Sequence, residues 1–382
     1  MTIYIILYGL LLFSIFFDVE NVSLKSKKEI LIWWVIIFTI FRGIRWDTGT
    51  DWEQYLHVFQ VSTLENIFNY TRNGGAVNME PGYVFINAIV KALGGNYTIF
   101  LLLTNLLVLW SYYKFSITNS KTPIMVFVLL MFSTQFFPVR IGIAVGILMI
   151  GLFDLSKLSV KRGLFFTFLA FTIHSSSIVF VPVFLLGSRR FKPSTYLAVG
   201  VAIAFLILAE TPLFKTFLTT ISENIGFLGD DVAHKFDNYL DFDITKKGAV
   251  IAVGGMINNI MFITLLFLFG KMIDKSLKES FSKENEIYFT FLFNTFFVFV
   301  MISIVFQGDN MAGLRRLQNY FMFAFPLLFA FFIYRNRTLS PNLSIIFNLG
   351  LIFYALFRSY SLFFGGYPEA HFPYKSIFDF FF

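Results

Sequence analysis

The sequence predicts an all-α polytopic integral membrane protein of about ten spanning helices, with several short broken or re-entrant helices between them. Three observations predict it. Of the 382 residues, 57% are hydrophobic and only 14% are charged, whereas a soluble domain carries about 25% charge. Apolar runs recur along the whole chain, punctuated by charge. Lysine and arginine collect in alternate loops. A soluble fold has no way to hide this much apolar surface, so lipid is the expected solvent for most of it.

The runs that predict spans are 3–17, 30–44, 97–115, 123–137, 140–153, 195–210, 249–270, 287–306, 314–334 and 341–359. Some are shorter than the about 17–25 residues a span needs. The first, Met1 to Phe17, has no basic leader and no small-residue cleavage site, so it reads as a spanning helix and not as a removed signal peptide. Three pieces are shorter again: 81–93, 163–173 and 176–187. No repeat and no low-complexity linker divides the chain, which reads as one membrane domain over 1–382. It carries two long loops, 45–80 and 211–247. The second has an amphipathic look, with Phe236, Tyr239, Leu240 and Phe242 among acids, suited to a lid or an interfacial helix.

More than half of the 30 lysines and arginines fall in one set of loops, around Lys25–Lys28, Lys114–Lys121, Lys157–Arg162, Arg189–Lys192, Lys271–Lys283 and Arg335–Arg337. The positive-inside rule makes that side cytoplasmic, with both termini outside. The topology closes only if 81–93 starts and ends outside while the pair 163–173 and 176–187 starts and ends inside. Irregular backbone at membrane depth is tolerated only where protein or water covers it, so these pieces point to a polar cavity. The chain has no Cys, which excludes disulfides, thiolate chemistry and Cys-based metal sites. Its four histidines, His57, His174, His234 and His371, have no metal-ligand spacing. The net charge of +7 follows loop placement and shows no basic, aromatic-interleaved surface for nucleic acid. No phosphate-cradling glycine loop is present.

The polar residues that carry candidate chemistry gather toward the outer side. In FRGIRWDTGTDWEQY, Arg42 and Arg45 share a helical face, and Asp47 and Asp51 follow. Two guanidiniums beside two carboxylates suit a diphosphate or a sugar hydroxyl; equally, they suit a collar of charge that anchors the helix end. Glu80 precedes Pro81, where it either caps the helix dipole or faces the cavity. Arg140 lies between apolar stretches, where a cation is costly unless paired or wet; snorkelling to the outer interface is the plainer alternative. His174 sits at a break followed by three serines. It is either a neutral ring bonded to backbone or a group that moves a proton near neutral pH. Arg315 and Arg316, with Tyr320 one turn beyond, either bind an anion or pair with Asp309.

At these residues the chain resembles the EpsG-type branch of the Wzy polysaccharide polymerases. The blocks that carry the resemblance are FRGIRWDTGTDWEQY, EPGYVFINAIVKAL, FFPVRIGIAVGILMIGL, FLAFTIHSSSIVFVPVFLL, HKFDNYLDFD, LRRLQNYFMF and HFPYKSIF, in that order over most of the chain. One departure is that the family often has Gln after the central Arg, where Ile141 stands here. The resemblance implies a GT-C-like glycosyltransferase in the bacterial inner membrane, with its active side facing the periplasm or exterior. It would join repeat units of O-antigen, capsule or a similar glycan carried on undecaprenyl diphosphate. Arg45, Asp51, Arg140, His174 and Arg316 are the positions that carry over.

Together these readings name His174, Asp51, Glu80 and Arg140 as catalytic candidates. Arg42, Arg45, Asp47, Arg315, Arg316 and Tyr320 are candidates for substrate binding. Expected partners are the lipid-linked oligosaccharide, membrane lipid and a chain-length regulator protein, with no cofactor and no nucleic acid. Cations would stabilise the leaving diphosphate, and His174, then Asp51, then Glu80 would take the acceptor proton. A transporter or flippase is the main competing reading, because broken helices and buried charge also mark transport paths. A glycan ligase or acyltransferase shares the same lipid-diphosphate chemistry.

Overall fold

A computed structural model describes residues 2–18, 22–68, 79–134, 137, 139–208, 249–278, 283–306, 312–339, 350, 352, 354–358 and 370–381. Among the described residues the chain is helical, with one isolated β-bridge, Arg45 to Ser376. It forms two compact units, Met1–Ile178 with Phe325–Phe382, and Val179–Ala324.

The first unit contains α1 (Thr2–Phe13), α2 (Leu24–Gly43), α3 (Trp52–Val61), α4 (Pro81–Ala92), α5 (Tyr97–Asn119), α6 (Pro123–Ser133), α7 (Arg140–Gly151) and α8 (Val160–Ile173). Its centre is α6, apolar all round, with every side chain from Pro123 to Phe132 buried, as expected of a helix surrounded by others. Helices α2, α5, α7 and α8 pack in succession beside it. Local signals set the helix starts: Ser23, Asn96 and Ser159 accept the first-turn N–H of Ser26, Ile99 and Arg162. Asp18 caps α6 from outside its own helix. Its Oδ2 accepts Met125 N at 2.9 Å while Lys27 Nζ pairs with Oδ1 at 3.1 Å, both side chains buried. Large apolar side chains point outward from α1, α2 and α8, including Ile5, Phe13, Trp33 and Phe168.

The second unit contains α9 (Val181–Leu186), α10 (Pro193–Leu208), α11 (Ala249–Lys278), α12 (Lys283–Val305) and α13 (Ala312–Arg315). Helices α11 and α12 pair, joined by a buried hydrogen bond from Ser303 Oγ to Asn259 Oδ1 at 2.7 Å. Asn294 of α12 ties down the end of α9, donating to the carbonyls of Gly187 and Arg189 at 2.7 and 2.9 Å. Phe180, Phe184, Phe291 and Phe321 fill the space between, their rings packed edge-on or tilted.

Several predicted boundaries shift. The second run begins at Leu24, because Ser23 supplies the cap and a charged first turn is tolerated there. The run 314–334 is not one helix: α13 passes into a 3-10 turn at Arg316–Tyr320, and α14 (Ala324–Leu339) starts afresh. The short pieces are short helical segments separated by breaks. Pro81–Ala92 is a three-turn helix, and His174 separates α8 from a 3-10 turn at Ser175–Phe180 and α9. Among the described residues two helices, Tyr97–Asn119 and Glu286–Val305, are long and apolar enough to cross a membrane by length and composition. Six further apolar helices are shorter, of 10–17 residues. The run 341–359 is described only in part, with 354–358 helical, and loop 211–247 and its HKFDNYLDFD block lie outside the described residues.

Candidate active site

Three breaks in regular structure bring three of the predicted residues together in the first unit. Glu80 is the residue before α4, extended at φ −62°, ψ 142°, as a position preceding proline requires. Its side chain makes no capping hydrogen bond and turns instead to Arg140. Arg140 opens α7. His174 follows α8 in extended conformation, its backbone N–H closing the helix on Ala170 O at 2.9 Å.

The Glu80 carboxylate is the hub. Its Oε2 accepts Arg140 Nη1 at 2.6 Å. Its Oε1 accepts Ser175 N at 3.2 Å and Ser175 Oγ at 3.1 Å. His174 Nδ1 lies 4.0 Å from the same Oε1 and 2.9 Å from Ser176 Oγ. Side-chain exposure is 7% for Glu80, 19% for Arg140 and 23% for His174, so the acid is enclosed while the cation and the imidazole reach the surface. The close approach of α4 to α8 makes this possible. A Cβ on Gly82 would stand 2.4 Å from Thr172 Oγ1 and 2.8 Å from the Thr172 carbonyl, so only glycine lets the two chain segments meet two residues from Glu80 and His174.

Tyr55, on α3, completes the group. Its hydroxyl accepts Arg140 Nε at 3.4 Å and its ring centroid lies 5.7 Å from the guanidinium carbon. Neither Tyr55 nor Ser175 is among the residues predicted from sequence. Both stand inside blocks that carried the resemblance, Tyr55 four residues after Asp51 and Ser175 directly after His174.

The FRGIRWDTGTDWEQY cluster does not form an array of guanidiniums facing carboxylates. Arg42 is fully buried, donating from Nη2 to Tyr8 OH at 3.3 Å, with Phe38 at 5.9 Å. Arg45 is buried over Phe137 at 4.5 Å and Trp52 at 5.5 Å, and donates to Thr48 O at 3.0 Å. Burial pulls its pKa below the usual arginine value. Among the described residues neither pairs with an acid. Asp47 is in left-handed conformation (φ 43°) and turns outward to Lys375, 2.6 Å away with both side chains about half exposed. Asp51 is exposed at the start of α3, without a side-chain cap, one turn before Tyr55 on the same helix. The segment 370–381 holds this turn in place: Trp46 N donates to Lys375 O and Ile377 N to Ile44 O, each at 2.9 Å. Gly49 (φ 115°) donates to Ala370 O at 2.7 Å.

Arg315, Arg316 and Tyr320 belong to the second unit. Arg315 Nε donates to Phe306 O at 2.9 Å, Arg316 is exposed, and Tyr320 is buried. Asp309, the alternative counter-charge, lies outside the described residues.

The arrangement offers a cation reaching the surface, an enclosed carboxylate that fixes it, and an imidazole able to accept a proton beside them. Comparison with known proteins agrees with the blocks found in the sequence. The chain is 24% identical over 379 residues to the Amylovoran biosynthesis protein AmsC of Erwinia amylovora, covering 91% of this chain and 92% of that protein. No solved structure matches. The EpsG family model matches residues 28–376, a stretch that holds Glu80, Arg140 and His174 as well as the second unit, and the chain belongs to the EpsG family.

Proposed function

We propose that this protein is a membrane glycosyltransferase that polymerises glycan repeat units carried on undecaprenyl diphosphate. Membership of the EpsG family and likeness to an amylovoran biosynthesis protein support a polysaccharide polymerase. The observation that carries the finer reading is the convergence of Glu80, Arg140 and His174 at one surface-reaching point.

The reaction then runs as follows. A hydroxyl of the acceptor glycan attacks the anomeric carbon of the donor sugar. The new C–O bond forms as the bond to the lipid diphosphate breaks, and the diphosphate leaves with the electron pair. Arg140 neutralises the charge that develops on it. His174 accepts the proton from the attacking hydroxyl. Glu80 is committed to Arg140 and Ser175, which makes it the residue that orients the other two. The chain spans the bacterial inner membrane in about ten helices of GT-C-like arrangement, with this centre open to the periplasm or exterior. The apolar helices and the outward-pointing apolar side chains of α1, α2 and α8 support that placement.

Purified Arg140→Ala and His174→Ala proteins, supplied with lipid-linked repeat units, are expected to lose polymerisation while remaining folded. Near wild-type chain growth by both would remove this centre from the reaction. In cells, deletion of the gene is expected to leave single repeats in place of long chains.

A further inference from the structure

Two of the three guanidinium nitrogens of Arg140 are tied to protein from two different helices. Nη1 is held by Glu80 ahead of α4, and Nε is held by Tyr55 of α3. Nη2 makes no hydrogen bond among the described residues. A single restraint would leave the plane of the guanidinium free to turn about its long stem; the second fixes it. Tyr55 is itself well anchored. Its ring meets Tyr83 edge-on at 5.9 Å, and α3 is pinned by Trp52 against Tyr97 at 5.0 Å and by Phe59 against Phe100 at 5.8 Å. At the other end of α3, Lys91 of α4 donates to the carbonyls of Gln60 and Ser62.

We infer that Tyr55 is a positioning residue for polymerisation, holding the plane of Arg140 so that Nη2 meets a phosphate oxygen of the departing lipid diphosphate. This rests on the role proposed above for Arg140. Tyr55 contributes through its hydroxyl, which accepts from Nε, and through its ring, which lies against the cation. Neither the proton nor the electrons of the transfer pass through it.

The test uses full-length protein in detergent and lipid-linked repeat units extracted from a strain lacking the gene. Loss of one hydrogen bond in Tyr55→Phe is expected to lower kcat about fivefold, with KM unchanged and only a small fall in melting temperature. Tyr55→Leu, which also removes the ring, is expected to lower it further. In an Arg140→Lys background, which has no Nε, Tyr55→Phe is expected to add nothing. A wild-type kcat in Tyr55→Phe overturns the inference. So does an equal loss in both backgrounds, because Tyr55 would then act independently of Arg140. If Arg140→Lys itself polymerises at the wild-type rate, no fixed guanidinium plane is needed and the inference fails, whereas a wild-type rate in Arg140→Ala is what removes the proposed role of Arg140. If Arg140→Lys is crippled and Tyr55→Phe is silent, only the positioning role fails.

Discussion

Replacing Glu80 with glutamine probes the centre most directly, because the two side chains have nearly the same shape. The carboxylate accepts from Arg140 at 2.6 Å through one oxygen and from Ser175 N and Oγ at 3.2 and 3.1 Å through the other. The amide keeps one acceptor and puts an NH2 donor against donors on the other side. It also leaves Arg140 without its ion-pair partner. Stranding one member of a fully buried pair costs about 3–5 kcal/mol, whereas a solvent-exposed pair contributes about 0–1 kcal/mol. With side-chain exposures of 7% and 19%, Glu80→Gln is expected to cost about 2–3 kcal/mol, between those limits. Unfolding of the purified protein in mixed micelles, titrated with dodecyl sulfate, measures this. The companion variant Arg140→Gln strands the acid instead. The double variant removes both charges and is expected to cost less than the sum of the singles by about 1–3 kcal/mol. Strict additivity, or a Glu80→Gln cost under about 0.5 kcal/mol, would refute the claim that the enclosed acid and its arginine act as a unit.

Gly82→Ala is expected to force α4 from α8, since its Cβ would meet both the side chain and the backbone oxygen of Thr172. The cost is about 1–3 kcal/mol, as for other overpacked contacts, and polymerisation falls with it because Glu80 and His174 are carried apart. Melting temperature and glycan length together check it. Lys375→Met breaks the exposed pair with Asp47. It is expected to change stability by under about 1 kcal/mol and to leave glycan length unaltered in a complemented deletion strain.

How far the centre could be read from sequence differs by residue. Arg140 stood out because a cation between apolar stretches needs a partner, but the partner was not legible. Glu80 lies 60 residues earlier, with equal claims to capping α4 and to facing a cavity, and only the turn of its side chain decides between them. His174 was marked by the break it occupies. That its neighbour Ser175 donates twice to Glu80 follows from the Gly82–Thr172 approach, which no local pattern announces. The opposite holds for Arg42, Arg45, Asp47 and Asp51. Spacing suggested a joint array of opposite charges, yet left-handed backbone at Asp47 and the docked segment 370–381 direct one acid to Lys375 while the arginines turn inward among aromatics.

What the sequence by itself determined is the helical class, the short pieces around 81–93, 163–173 and 176–187, and Glu80, Arg140 and His174 as polar residues in need of a role. Each of these is a local matter: apolar runs, proline and cap signals, and charge out of place. Tertiary structure alone decided which of those residues meet. The contacts among Tyr55, Glu80, Arg140 and His174 depend on how four chain segments cross, and crossing is set by close approaches such as that at Gly82, which carry no periodic signature along the chain.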